Sequence, residues 1–133
     1  MAVIKKIDGS YGIYNEAGLQ AEGSFEPNLR GLSPKELFEA SLAMCITVVL
    51  QRIFERDGIN LKEDEFFVEA TAIKAEDKPP HFEKCIVNIT FPDSFSEKYK
   101  EKLIIMAERG CTIGNTLRKG LTIYTNDATN KGK

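Results

Sequence analysis

The chain has 133 residues, 18 of them Lys or Arg and 20 Asp or Glu, giving a net charge of -2 with the two signs interspersed. This length suffices for one hydrophobic core without disulfides or structural metal, and residues 1–133 read as a single domain. The charge balance excludes the basic face of a nucleic-acid binder, and the most apolar run, residues 40–50, falls short of the roughly 20 residues of a membrane span.

The opening residues MAVIKK lack the apolar stretch and cleavage site of a signal peptide, so a cytoplasmic location is expected. The first 25 residues then read as a meander of strands: residues 3–7, a Gly-containing turn at DGSYG, Ile13 and Tyr14, a second turn at NEAG, and residues 19–25. Ser33, Pro34 and Glu36 make a strong helix start, because Ser caps, Pro suits the first helical position and Glu three residues on completes a capping box. The helix is predicted over residues 34–56, stopping near Gly58 with Arg52 and Arg56 in its last turns. Its sequence from 37 to 54 is apolar almost all round, so it must be covered on most sides.

Residues 65–75 and 82–91 are two long strands, joined by a loop whose prolines forbid regular pairing, and they are expected to form an antiparallel hairpin. Ser94 and Glu97 offer a second capping box for a helix to about Arg109 that ends at Gly110. A short helix over 111–119 and a closing strand over 121–125 follow, and the polar residues 125–133 look frayed. The order predicts an α+β domain with helices covering an antiparallel sheet.

Three cysteines, Cys45, Cys85 and Cys111, carry the chemistry available to this chain. In a reducing compartment they read as buried hydrophobes or reactive groups rather than crosslinks, and the odd count sets one apart. With no CxxC or Cys/His cluster, neither zinc nor any other cofactor is expected. Cys45 sits mid-helix among apolar neighbours and on its own is compatible with simple filling of the core. Cys111 follows the Gly110 helix end, so a helix N-terminus with Arg109 and Arg118 nearby would lower its pKa. Cys85 alternates onto the strand face of Val87, Ile89 and Phe91 and reads as core. His81, the lone histidine, reads as a surface residue without a sequence partner.

Two segments carry a family resemblance. SPKELFEASLAMC (33–45) resembles the SPxELxxxALxxC segment of the OsmC/Ohr hydroperoxide-resistance type, and AERGCTIGNTL (107–117) resembles its AxxxCPVSNTL segment. The resemblance implies an OsmC-like fold, a curved antiparallel sheet packed on a long central helix, in an intertwined homodimer with active sites where the subunits meet. It also implies a thiol-dependent peroxidase of organic hydroperoxides. Cys45 would attack the peroxide and become a sulfenic acid, Cys111 would condense with it, and an external dithiol, lipoyl-protein or thioredoxin-like, would restore both thiols.

The departures from the family pattern concern the support of the thiolate. The family glutamate ten residues before the helix cysteine, which holds a thiolate-stabilising arginine, is Lys35 here. Glu36 falls about opposite Cys45 at 100° per residue and suits a cap. Arg30, in the loop before the helix, is the candidate cation, although its spacing does not match, and Lys35 itself would favour a thiolate if it approached Cys45. Thr112 replaces the family proline after the second cysteine. The Glu-to-Lys change also suits an alternative, a non-catalytic OsmC-like stress or small-molecule-binding dimer. A third reading keeps the cysteines too far apart to bridge.

Overall fold

The computed structural model describes residues 1–129. Strands β1 (Val3–Ile7), β2 (Ser10–Asn15) and β3 (Gly18–Gly23) form an antiparallel meander in the order β1-β2-β3. The first turn is two residues long, with Ile7 opposite Ser10. Asp8 and Gly9 occupy it at φ 53° and 83°, the left-handed region that Asp-Gly hairpin turns require. In the second turn Asn15 Oδ1 accepts the Ala17 N–H at 2.9 Å.

Helix α1 (Pro34–Arg56) starts as its sequence dictates. Ser33 Oγ accepts the Glu36 N–H at 3.3 Å, Glu36 Oε1 accepts the Ser33 N–H at 3.0 Å, and Pro34 sits where its missing N–H costs nothing. Strands β4 (Phe67–Lys74) and β5 (Phe82–Thr90) pair as the expected antiparallel hairpin, with Ala72 opposite Cys85. Helices α2 (Glu97–Gly110) and α3 (Thr112–Lys119) follow, separated only by Cys111.

Helix α1 packs against β4, α2 and α3. The core comprises Leu42, Ile46, Leu50, Ile53 and Phe54 of α1, Leu103 and Ala107 of α2, and Cys111. Phe54 packs edge-on against Phe66 at 5.1 Å and Phe95 at 5.8 Å, so an aromatic cluster closes the end of α1. Tyr99 extends it and donates its hydroxyl to Asp57 Oδ2 at 2.7 Å, tying α2 to the α1 C-cap. Burial and that carboxylate push the Tyr99 hydroxyl up to about 12.

Three sequence expectations are corrected. Ser94 does not cap α2: the Phe95 N–H bonds the Pro92 carbonyl at 3.1 Å, so Ser94 is taken up in a turn, and Ser96 caps instead by accepting the Tyr99 N–H. Among the described residues, 121–125 belong to neither sheet, since no strand edge of the chain reaches them. Leu121, Ile123 and Tyr124 are left exposed. Finally, α1 as a whole is long and apolar enough by composition to cross a membrane, which the shorter run at 40–50 had concealed. In this fold it is the core helix. The polar end anticipated over 125–133 is irregular and exposed as far as 129, and its remainder lies outside the described residues.

Much apolar surface stays open. Met44 and Val48 of α1 are 64% and 39% exposed, and Ile4, Leu19 and Phe25 of the N-terminal meander are uncovered. The chain exposes 10579 Å², against roughly 7,000 Å² for a compact monomer of its mass.

Candidate active site

Cys45 lies half-buried at the middle of α1, packed against the core. One turn on, Val49 meets Gly110 at the end of α2. A Cβ on residue 110 would stand 3.1 Å from Val49 Cγ1, so the missing side chain lets the α2–α3 junction settle directly on α1. That contact sets Cys111 and the first turn of α3 over Cys45.

Cys111 is 2% exposed and caps α3, its sulfur accepting the Gly114 N–H at 3.3 Å. Its own N–H bonds the Ala107 carbonyl at 3.1 Å, and its carbonyl accepts the Asn115 N–H at 2.9 Å. Both thiols are free, and each bears on the ionisation of the other. Their ionisation differs. Burial opposes the Cys45 thiolate, yet the Ile113 N–H, the Cys111 thiol and the Thr112 N–H outweigh it and hold Cys45 below the usual thiol range. For Cys111, burial prevails over the Gly114 N–H, and the neighbouring Cys45 pushes its pKa up further. The sequence placed the helix-terminus effect on Cys111. In the structure Cys111 is itself the cap of α3, its sulfur taking the Gly114 N–H, and burial still raises its pKa. The site therefore joins a thiol predisposed to ionise and a neighbour predisposed to keep its proton.

A cleft of about 720 Å³ adjoins the pair, walled by Leu42 and Ile46 of α1, Val87 and Ile89 of β5, and Leu117 of α3. Cys111 and Cys85 line it and Cys45 does not. Cys85 faces inward with Val87, Ile89 and Phe91, as alternation implied. Burial first, and the Glu39 carboxylate second, raise its pKa. Among the described residues no cluster of His, Cys, Asp and Glu is arranged to hold a metal ion.

No curated protein sequence matches this chain. The family model for OsmC-like proteins, however, matches residues 26–126, the stretch that holds both cysteine segments and both helices that carry them. The chain belongs to the OsmC-like family. The fold agrees. It is similar to an OsmC-like protein from Mycoplasma pneumoniae (TM-score 0.71, 15% identity, 89% of this chain and 84% of that one). It is also similar to the organic hydroperoxide resistance protein OhrB of Bacillus subtilis (TM-score 0.58, 18% identity, 89% and 90% covered). A third similar structure is an organic hydroperoxide resistance protein from Elizabethkingia anophelis (TM-score 0.62, 20% identity, 88% and 86% covered).

Within this OsmC-like chain the three candidate supports of the thiolate stand elsewhere. Arg30 is exposed in a turn organised by Asn28 Oδ1, which accepts its N–H at 2.8 Å, and it borders a depression of the N-terminal meander. Lys35 donates to Glu39 Oε2 at 2.6 Å, one helical turn on, so its ammonium is engaged away from Cys45. Glu36 serves the capping box. His81 is exposed but has partners that the sequence did not suggest: its Nδ1 lies 2.6 Å from the Pro79 carbonyl oxygen, and its Nε2 lies 3.7 Å from Asp77.

Glu39 is a residue that sequence reasoning missed. It also accepts the Ala72 N–H at 2.8 Å, so the Lys35–Glu39 pair fastens the start of α1 to β4. The hydrogen bond from Lys35 and the Ala72 N–H hold the Glu39 carboxyl below the usual range despite its burial. The i,i+4 spacing of Lys35 and Glu39 was the available signal, but the strand amide belongs to the tertiary fold.

Proposed function

We propose that this protein is a thiol-dependent peroxidase that reduces organic hydroperoxides to alcohols, with Cys45 as nucleophile and Cys111 as resolving thiol. The observation that carries the reading is the placement of two free thiols, Cys45 of α1 and Cys111 of the α2–α3 junction, on one shared core, with the Cys45 pKa lowered and the Cys111 pKa raised. The thiolate is the reactive form of cysteine. Its sulfur attacks the terminal oxygen of ROOH, the O–O bond breaks, and the alkoxide takes a proton from solvent to leave as ROH. Cys45 is then a sulfenic acid. The Cys111 sulfur displaces its hydroxyl, which departs as water with the Cys111 proton, and a Cys45–Cys111 disulfide remains. An external dithiol, lipoyl-protein or thioredoxin-like, supplies two electrons and two protons by exchange and becomes a disulfide. The cleft beside Cys111, lined by Leu42, Ile46, Val87 and Ile89 as well as by Glu83, Lys84, Glu108 and Arg118, offers an apolar wall to an aliphatic or aromatic R group.

The same reading includes a homodimer. The exposed Met44, Val48, Ile123 and Tyr124 support it, since exposed apolar side chains of this kind mark surfaces that a partner covers. Sedimentation is expected to give twice the mass of one chain at micromolar concentration, and a monomer would remove the dimer from the account. For the chemistry, purified protein with a dithiol reductant is expected to consume cumene hydroperoxide catalytically. A second reading, a non-catalytic binding dimer, is favoured by one observation: the cleft is lined by Cys111 and Cys85 but not by Cys45. That reading predicts binding of apolar molecules without consumption of peroxide.

A further inference from the structure

Four side chains of the cleft wall carry charge, Glu83 and Lys84 of β5, Glu108 of α2 and Arg118 of α3. Among the described residues none of them forms a salt bridge. Arg118 is set apart by its place beside Cys111. Asn115 Nδ2 donates to the Arg109 carbonyl at 3.1 Å, which ties that amide to the end of α2, and Asn115 Oδ1 accepts Arg118 Nη1 at 3.4 Å. The guanidinium is thereby turned back along α3 onto buried Gly114. A Cβ on residue 114 would stand 3.4 Å from Arg118 Nη1 and equally 3.4 Å from the Cys111 sulfur. The cation and the thiol therefore border one gap in the cleft wall, left by a missing side chain where the family segment carries serine.

A guanidinium presents five N–H donors in a planar fork that matches a carboxylate. The long bond to Asn115 engages one of them. Leu42, Ile46, Val87 and Ile89 supply apolar wall in the same cleft. A cation with donors to spare beside such a wall complements a molecule with a carboxylate at one point and hydrocarbon at another.

We infer that Arg118 is a specificity-determining residue that binds the carboxylate of a hydroperoxide whose hydrocarbon part lies on the apolar wall. The inference deepens the peroxidase reading by naming a substrate class, carboxylate-bearing hydroperoxides, and rests on that reading for its part in turnover. Retention of the carboxylate does not need turnover. Glu83 and Lys84 are neighbours on β5 and offset each other, and Glu108 opposes Arg118 in sign. The preference for an anion is thus set by the placement of Arg118 and not by the net charge of the cleft.

Two probes of nearly the same shape test it: para-isopropylbenzoate, an anion, and para-isopropylbenzyl alcohol, which is neutral. Titration calorimetry of the reduced protein at low salt is expected to show the benzoate bound about tenfold more tightly than the alcohol, the scale of a hydrogen bond to a charged group. Arg118 is exposed, so its replacement spares the core. Arg118→Gln should abolish the preference while the affinity for the alcohol stays within about a factor of two, as for a surface substitution. Lys84→Gln removes a cation from the same cleft and should leave the preference in place. Equal affinities in the parent protein, a preference that survives Arg118→Gln, or an equal loss in Lys84→Gln would overturn the assignment.

Turnover supplies the second arm. The ratio of kcat/KM for para-carboxy cumene hydroperoxide to that for cumene hydroperoxide is expected to fall about tenfold in Arg118→Gln. An unchanged ratio would overturn the specificity role. Benzoate binding that depends on Arg118, in a protein that consumes neither hydroperoxide, would sink the peroxidase reading and leave the carboxylate site standing.

Discussion

Cys45→Ser is expected to lower hydroperoxide turnover by about a thousandfold or more, the scale on which loss of a nucleophile acts, with little change in thermal stability. A serine hydroxyl is isosteric with the half-buried thiol but does not ionise near neutral pH, so no nucleophilic anion would form at position 45. Cys111→Ser separates the two roles. It should still reduce about one equivalent of hydroperoxide per site and then stall as the Cys45 sulfenic acid, detectable by a dimedone adduct. Turnover by Cys45→Ser within a factor of a few of the parent would contradict the assignment.

The largest effect on stability is expected from Phe54→Ala. Phe54 is 0% exposed and holds the aromatic cluster together through Phe66 and Phe95. Truncating a buried phenylalanine costs about 3–5 kcal/mol, a large share of the roughly 5–15 kcal/mol that keeps a domain folded. At about 3 °C per kcal/mol for a chain of this size, the midpoint of thermal unfolding should fall by about 10 °C or more, measured at fixed protein concentration. A fall of less than about 2 °C would mean that the cluster around Phe54 is not the core it is described to be.

What was legible in the sequence was what short-range chemistry decides. The Asp8–Gly9 turn, the Ser33–Glu36 capping box and the hairpin of β4 and β5 each follow from residues within one turn or one strand of each other. The alternation that turned Cys85 inward is equally local. Ser94 misled because two serines stand within three residues, and only the turn closed by Phe95 and Pro92 decides which is free to cap. Residues 121–125 have the alternation of a strand, but a strand exists only with an edge to pair with, and pattern alone does not supply one.

The site was legible only as far as its two cysteines. Cys45 by itself looks like core filler, and the resemblance of two segments, not the local chemistry, singled it out. The search for its stabilising partner went to charged side chains, Arg30 and Lys35, because side chains are what a sequence displays. What lowers the Cys45 pKa includes backbone amides at the start of α3, which a sequence does not display. How α3 meets α1, through the close approach at Gly110 and Val49, is likewise a matter of the tertiary fold. Lys35 was drawn away by Glu39, whose second hydrogen bond, to the Ala72 amide, joins segments 33 residues apart.

The central claim is that Cys45 and Cys111 are one redox unit. Its most direct test is peptide mass mapping of the reduced protein after about one equivalent of cumene hydroperoxide, with remaining thiols blocked by alkylation. The account predicts a rapidly formed Cys45–Cys111 disulfide with Cys85 recovered as the alkylated thiol; recovery of Cys45 and Cys111 as unreacted thiols would contradict it.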